Sequence, residues 1–309
     1  MSDPRVVAPV PGASGDPSTA AGTAATTPRT GFRWRLISSI VLWGIMLAVI
    51  FWTTRPIWLY LFMNVVIARA VWEFYGICEA KGLKAYKVWG VAGAIALISG
   101  SWFFFQRHDF IQLSYDFDIF ILLVFALGVF IRQFPQKLNP QGIETMAVTL
   151  FGLIYVAWLG NFMTRINFAN PHGRYFVMLL VVVTKFTDIG AYLTGSTIGR
   201  HKMIPRISPK KTWEGTAGGM AFAVGGAFLC RWVMPGEMAV LTNVHAVVIG
   251  LLLGAAAVIG DLAESLIKRE AGVKDSSTIL PGHGGCLDMI DSLLFTAPLL
   301  YVYMRLVLR

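Results

Sequence analysis

The chain has 309 residues, 56% of them hydrophobic and 14% charged, with a mean hydropathy of +0.63 and a formal net charge of +9. Soluble domains carry about 25% charged residues, so this composition excludes a soluble Rossmann-type enzyme and a mostly disordered chain, while three scattered cysteines, Cys78, Cys230 and Cys286, supply neither a disulfide framework nor zinc-ligand spacing. Apolar runs of about 17 to 22 residues have the length that crosses roughly 30 Å of hydrocarbon as helix, and they lack the alternating ten-residue pattern of a membrane β-barrel.

In residues 1–30, 22 positions are Ala, Pro, Gly, Ser or Thr and none is Leu, Ile or aromatic. Such a segment cannot bury enough apolar surface to offset its ordering entropy, and it reads as a disordered N-terminal tail with no secretory signal pattern. Nine apolar runs follow, at about 36–54, 56–77, 88–105, 117–134, 145–163, 175–196, 216–234, 245–267 and 288–308. The expected fold is an all-α, polytopic integral membrane helical bundle of about nine transmembrane helices. Its N-terminal helices occupy 31–170 and a catalytic region occupies 171–309.

The basic residues divide unequally between the two sides of such a bundle. The tail and the loops after spans two, four, six and eight collect 17 Lys and Arg, the opposite side 7, and Arg69 and Lys185 fall inside spans. Cytoplasmic loops are enriched in Lys and Arg, so this asymmetry puts the N-terminus in the cytoplasm, with both polar loops, 197–215 and 268–287, on the cytoplasmic face. The positive charge is thereby assigned to membrane lipids and topology; with no recognition motif, no nucleic-acid partner is expected.

An ionisable residue inside a span costs about 2.5–3.5 kcal/mol on insertion scales and asks for a partner or a purpose. Arg69 and Glu73 are four apart on one helix face and can neutralise each other, and Lys185 and Asp188, three apart, can do the same. Asp261 and Glu264 lie at the end of the eighth run. After the sixth run, Ser208, Lys210, Lys211 and Thr212 gather two cations and two hydroxyls at the entrance of the next helix, a set suited to phosphate or to topological anchoring alone. Further on, Asp261, Lys268, Arg269, Lys274, the Pro281-Gly282-His283-Gly284-Gly285 loop, Asp288 and Asp291 form a denser group. Asp288 and Asp291 share one face of a helix start, and the preceding hairpin can bring Asp261 close. Three converging carboxylates repel one another without a metal and become hard oxygen ligands with Mg²⁺. Carboxylates for metal, lysines for phosphate oxygens and glycines for close backbone approach are what phosphoryl or nucleotidyl transfer requires. Neither a Gly-x-Ser-x-Gly elbow nor a P-loop occurs in the sequence.

These residues resemble a known family. Ser265-Leu-Ile-Lys268-Arg269, Lys274-Asp275, Leu280 to Gly285 and Asp288 to Asp291 are similar to the signature of phosphatidate cytidylyltransferases, also called CDP-diacylglycerol synthases. Ile207 to Thr212 with Glu214-Gly215, and Asp188, Ala191, Tyr192 and Gly195, fit its upstream pattern, and Glu73-Phe-Tyr75 is reminiscent of it. The resemblance implies an enzyme that joins CTP and phosphatidic acid into CDP-diacylglycerol with release of pyrophosphate. It implies Mg²⁺ held by Asp261 and Asp288 with Asp291 assisting, and K⁺ as a candidate for a second site. Catalysis would then rest on Asp261, Asp288, Asp291, Lys210, Lys211 and His283. Substrate binding would involve Ser208, Lys210, Lys211, Thr212, Lys268, Arg269, Lys274, Asp188, Gly284 and Gly285. A bacterial plasma membrane location and a homodimer both suit such a chain.

Two positions depart from the pattern: Met289 stands where the family usually has Arg, and Cys286 where it usually has a larger aliphatic residue. A paralogue with another acceptor lipid, a CTP-dependent lipid kinase that yields CDP, and an ion-coupled transporter are the competing readings. A transporter would show repeated halves with interrupted helices, whereas here the polar residues crowd into one half.

Overall fold

The computed structural model describes residues 44–46, 48–51, 57–106, 111–136, 139–277 and 284–308, with the side chains of 111–115 also outside the description. The expected tail, most of the first expected span, and His283 lie outside the described residues. Eight helices match the remaining runs in order: α1 (Ile57–Ala80), α2 (Lys87–Phe105), α3 (Ile111–Gln133), α4 (Gly142–Phe168), α5 (Gly173–Thr197), α6 (Trp213–Val233), α7 (Asn243–Glu270) and α8 (Cys286–Leu306). Seven of them are long and apolar enough to cross a membrane by length and composition. α3 is a 23-residue helix that carries Asp116, Asp118 and Arg132. The chain is therefore a polytopic helical membrane protein, and α4 is interrupted by a π-helical stretch at Leu153–Trp158.

The one departure from all-helix architecture among the described residues lies in the loop after α5. β1 (Lys202–Ile204) pairs antiparallel with β2 (Ser208–Thr212), Lys202 opposite Thr212 and Ile204 opposite Ser208, with a register shift between them. The hairpin is fixed at its base. Trp213 N–H donates to the His201 carbonyl at 3.0 Å, and the Glu214 carboxylate accepts from the backbone N–H groups of Arg200 and His201. The Thr212 hydroxyl caps α6 by accepting from Gly215 N–H at 3.1 Å, satisfying one of the orphan donors of a helix start.

Lipid is as apolar as leucine, so helices in a membrane associate through close packing and polar contacts instead of through escape from water. α5 and α6 meet along small residues: a Cβ at Gly219 would stand 2.9 Å from the Thr187 carbonyl oxygen. α8 packs on α1, α4, α5 and α7, so a single buried cluster draws on both halves of the chain, including Ile67, Phe74, Leu97, Val156, Leu180, Leu253 and Leu294. Outward-facing Trp58, Val65, Ile119, Phe130 and Trp232 form an apolar exterior. A buried polar knot also ties α2, α3 and α4 together: Asp118 accepts from Ser101 at 2.6 Å and pairs with the buried Arg165, while Asn161 donates to Ser101. Arg165, two residues beyond the apolar run at 145–163, thus lies inside α4.

The loops expected on one side of the membrane do share one end of the bundle. Lys81, just after α1, pairs with Glu270 at the end of α7 at 2.5 Å, and Arg269 Nε donates to the Ile207 carbonyl between the strands.

Candidate active site

At that end, α5, the hairpin, α6, α7 and α8 enclose a cavity of about 430 Å³. Each element presents a polar stripe set by its own period. On α7, Asp261, Glu264 and Lys268 follow the three-and-four spacing of one helix face, and on α8 Asp288 and Asp291 do likewise. α5 contributes Lys185, Asp188 and Tyr192. The hairpin contributes Ser208, Lys210, Lys211 and Thr212. Of the residues expected from sequence, the fold thus brings Asp188, Ser208, Lys210, Lys211, Thr212, Asp261, Lys268, Asp288 and Asp291 to one wall or another of a single space.

Arg269 and Lys274 do not line that space; both are exposed, and Arg269 braces α7 against the hairpin. Gly284 and Gly285 sit behind Asp288, where Gly285 N–H donates to its Oδ2 at 2.7 Å. Thr212 spends its hydroxyl on the α6 cap. Adjacent residues on a strand point to opposite faces, and Lys210 and Lys211 accordingly have different partners. Lys211 Nζ pairs with Asp261 at 2.9 Å and donates to the Val258 carbonyl at 3.1 Å, whereas Lys210 has no ion pair among the described residues.

Two ion clusters make up the floor. In the first, Asp261 meets Lys211 and accepts from Ser265, while Lys185 pairs with Asp188 at 3.1 Å, within electrostatic range of Asp261 and Asp291. In the second, Lys268 Nζ lies 2.6 Å from Glu264 Oε2 and 2.5 Å from Asp288 Oδ1. Asp288 Oδ2 is saturated by three donors, the Ser276 N–H and hydroxyl and the Gly285 N–H. Glu264 Oε1 is buried and has no hydrogen-bond partner among the described residues. An orphaned buried carboxylate oxygen costs about 1–3 kcal/mol or more unless a cation or solvent reaches it. Tyr155, on the π-helical stretch of α4, holds another buried oxygen with no hydrogen-bond partner among the described residues, within electrostatic range of Glu264 and Asp291.

The donor set can be tested for Mg²⁺. Among the described residues no three His, Cys, Asp or Glu side chains already converge as an ion cage. Asp261, Asp288 and Asp291 line the same cavity with several of their oxygens engaged by lysines, serines and backbone N–H groups. Mg²⁺ characteristically takes one or two carboxylates together with substrate phosphates and water, and dispenses with an all-protein cage. The cavity holds five carboxylates, Asp188, Asp261, Glu264, Asp288 and Asp291, against four ammonium groups, Lys185, Lys210, Lys211 and Lys268. Carboxylate oxygens for a cation and ammonium groups for phosphate oxygens thus stand in one space, and the residues present fit the ion.

The Cytidylyltransferase family model matches residues 33–307, nearly the whole sequence. The chain belongs to the cytidylyltransferase family. Among its relatives, a phosphatidate cytidylyltransferase of Synechocystis is 32% identical, covering 79% of this chain and 87% of the relative. One of the same name from Bacillus subtilis is 30% identical over 86% and 97% respectively. A protein of Escherichia coli named only as uncharacterized protein YnbB is 31% identical over 85% of each. As a member of this cytidylyltransferase family the chain is a nucleotidyltransferase, and the resemblance read from its motifs holds.

Family membership locates the two departures. Met289 does not line the polar cavity; it faces an apolar crevice with Phe62, Met63, Val66, Met163 and Val181, which shares Lys185 with the cavity. Cys286 is the first residue of α8 and half-buried. Sequence reasoning left Glu73, Tyr155 and Ser276 without a role at the site. Glu73 carried a signal, as a carboxylate at membrane depth; Ser276 carried none, because its importance rests on partners 12 and 203 positions away.

Proposed function

We propose that the chain is a phosphatidate cytidylyltransferase, transferring CMP from CTP to phosphatidic acid to give CDP-diacylglycerol and pyrophosphate. The observation that carries the reading is the cavity itself: carboxylates and lysines from four segments of the chain meet in one space at the loop end of a membrane bundle, beside an apolar crevice. A nucleotide from water and a phospholipid from the membrane can both reach such a place. The names of the Synechocystis and Bacillus subtilis relatives support the same substrates.

In the reaction, an oxygen of the lipid phosphate attacks the α-phosphorus of CTP. The bond from that phosphorus to the bridging oxygen breaks, and pyrophosphate leaves. The lipid phosphate is already an anion, so the protein need not supply a strong base, and the acceleration comes from alignment and charge neutralisation. Asp261 and Asp288, with Asp291 beside them, would hold Mg²⁺, which supplies Lewis-acid neutralisation of the triphosphate. K⁺ is a candidate for a second site. Lys210, unpaired among the described residues, meets phosphate oxygens first, and Lys211 and Lys268 exchange their carboxylate partners for substrate oxygens as the substrate enters. We place the cavity on the cytoplasmic face of a bacterial plasma membrane, in keeping with the charge asymmetry of the loops.

The test is purified full-length protein in detergent with Mg²⁺, labelled CTP and phosphatidic acid. CDP-diacylglycerol and pyrophosphate are the expected products; CDP with a newly phosphorylated lipid would identify a lipid kinase instead. The Met289 crevice favours a second reading, a paralogue with a different phospholipid acceptor. The same assay across acceptor lipids separates the two.

A further inference from the structure

Glu73 lies on α1, outside the cavity, and is almost completely buried. Its Oε1 accepts from Arg69 Nε at 3.2 Å and from the Ser277 hydroxyl at 2.8 Å. Its Oε2 accepts from the Leu287 N–H at 2.9 Å, in the first turn of α8, and from the Ser276 hydroxyl at 3.2 Å. One carboxylate therefore ties Ser276 and Ser277, midway between α7 and α8, and the first turn of α8 to α1. A local Arg69 pair alone, the arrangement visible in the sequence, would leave three of these four bonds unmade. The anion also stands at the positive end of the α8 dipole, a favourable place for negative charge.

The clamp reaches the site through Ser276. Its single hydroxyl hydrogen is shared between Glu73 Oε2 at 3.2 Å and Asp288 Oδ2 at 2.6 Å, and its N–H donates to the same Asp288 oxygen at 3.0 Å. The two glycines are explained by the same geometry. Gly284 has φ +85°, and a Cβ there would overlap Asp288 Oδ2; a Cβ at Gly285 would overlap both Glu73 Oε2 and Ser276 Oγ. Two carboxylates thus press on consecutive residues that have no side chain to resist them. With Oδ2 of Asp288 occupied on the loop side, Oδ1 is the oxygen turned to Lys268 and the cavity.

We infer that Glu73 is a positioning residue: through Ser276 and the α8 N-terminus it fixes the rotation of the Asp288 carboxylate, so that one defined oxygen faces the reacting phosphates. Its effect on turnover rests on the phosphatidate cytidylyltransferase reading; its effect on the loop does not. The experiment has two arms on the full-length protein in detergent, with Glu73→Gln and Ser277→Ala. Ser277→Ala removes one donor to Glu73, leaves every buried charge in place, and is the variant to follow if Glu73→Gln fails to fold.

Hydrogen–deuterium exchange is read at the Ser276 and Leu287 amides, with the α2 and α4 amides as internal reference. We expect Glu73→Gln to speed exchange at both amides at least about tenfold, and Ser277→Ala to do so by a smaller factor, with the reference unchanged. In the second arm, kcat falls at least about tenfold in Glu73→Gln while KM for CTP moves less than about threefold, because substrate still meets the same lysines. Exchange that superposes on wild type in whichever variant folds overturns the clamp. Faster exchange with unchanged kcat overturns the positioning role and leaves a purely structural one. A wild type without cytidylyltransferase activity defeats the proposed function and leaves the exchange arm to decide the clamp.

Discussion

Lys211 on β2 and Asp261 on α7 meet at 2.9 Å, and the same ammonium donates to the Val258 carbonyl one helical turn earlier. This pair ties the hairpin to α7 as one wall of the cavity. It also means that the two adjacent lysines of the hairpin are not equivalent: Lys211 is already employed by the fold, and Lys210 is held ready.

The first prediction follows from that difference. On the proposed function, Lys210→Ala would remove a phosphate contact and little else, so KM for CTP should rise about tenfold with kcat nearly unchanged, as for a charge-assisted bond worth about 1.5 kcal/mol. Lys211→Ala also releases Asp261, so kcat and kcat/KM both fall, by about 100-fold or more. Steady-state kinetics on both variants decide it; identical profiles would show that the hairpin holds both lysines in the same role.

Metal removal gives the second. On the proposed function, the carboxylates that line the cavity would take up the divalent cation that accompanies a triphosphate. Chelation should abolish turnover and Mg²⁺ should restore it, whereas Ca²⁺, larger and more loosely coordinated, restores it poorly. Activity that persists in excess chelator would refute the metal role of Asp261 and Asp288.

Periodicity and local spacing carried much of this into the sequence. Eight helices fall where the apolar runs lie, and the pairs Arg69 with Glu73, Lys185 with Asp188, and Asp288 beside Asp291 are visible because helical neighbours recur at three and four residues. Contacts between distant segments leave no such period. Arg165 pairs with Asp118 from 47 positions away, and Glu73 reaches Leu287 across 214, so neither partnership could be read from spacing. The hairpin is not legible in the sequence for another reason: its two strands are too short for an alternating pattern, and a charged Ser-Pro-Lys-Lys stretch reads as loop.

The Asp118 and Arg165 pair supports a stability prediction. Both are buried, and removing the carboxylate takes the Asp118 ion pair from a guanidinium inside the bundle. Asp118→Ala should destabilise the protein by about 3–5 kcal/mol, seen as a lowered midpoint of thermal unfolding in detergent. Asp118→Ala with Arg165→Met should recover much of that loss, since exchanging both charges for apolar groups is often close to neutral. A double variant no more stable than the single one would show that the charges also serve other partners.

The orphaned oxygen of Glu264 supports the last. Oε2 is satisfied by Lys268, but Oε1 is buried and accepts no bond among the described residues, in a residue that lines the cavity with Asp288 and Asp291. Native folds rarely leave such an atom unmet, and on the proposed function this oxygen would answer the cation that enters with the nucleotide. Glu264→Gln keeps the volume and loses the charge. The Mg²⁺ concentration for half-maximal activity should then rise about tenfold, equivalent to about 1.4 kcal/mol of lost cation affinity, with the unfolding midpoint nearly unchanged. If Mg²⁺ dependence stays as in wild type, the oxygen is answered by ordered water, and Asp261 and Asp288 hold the ion without it.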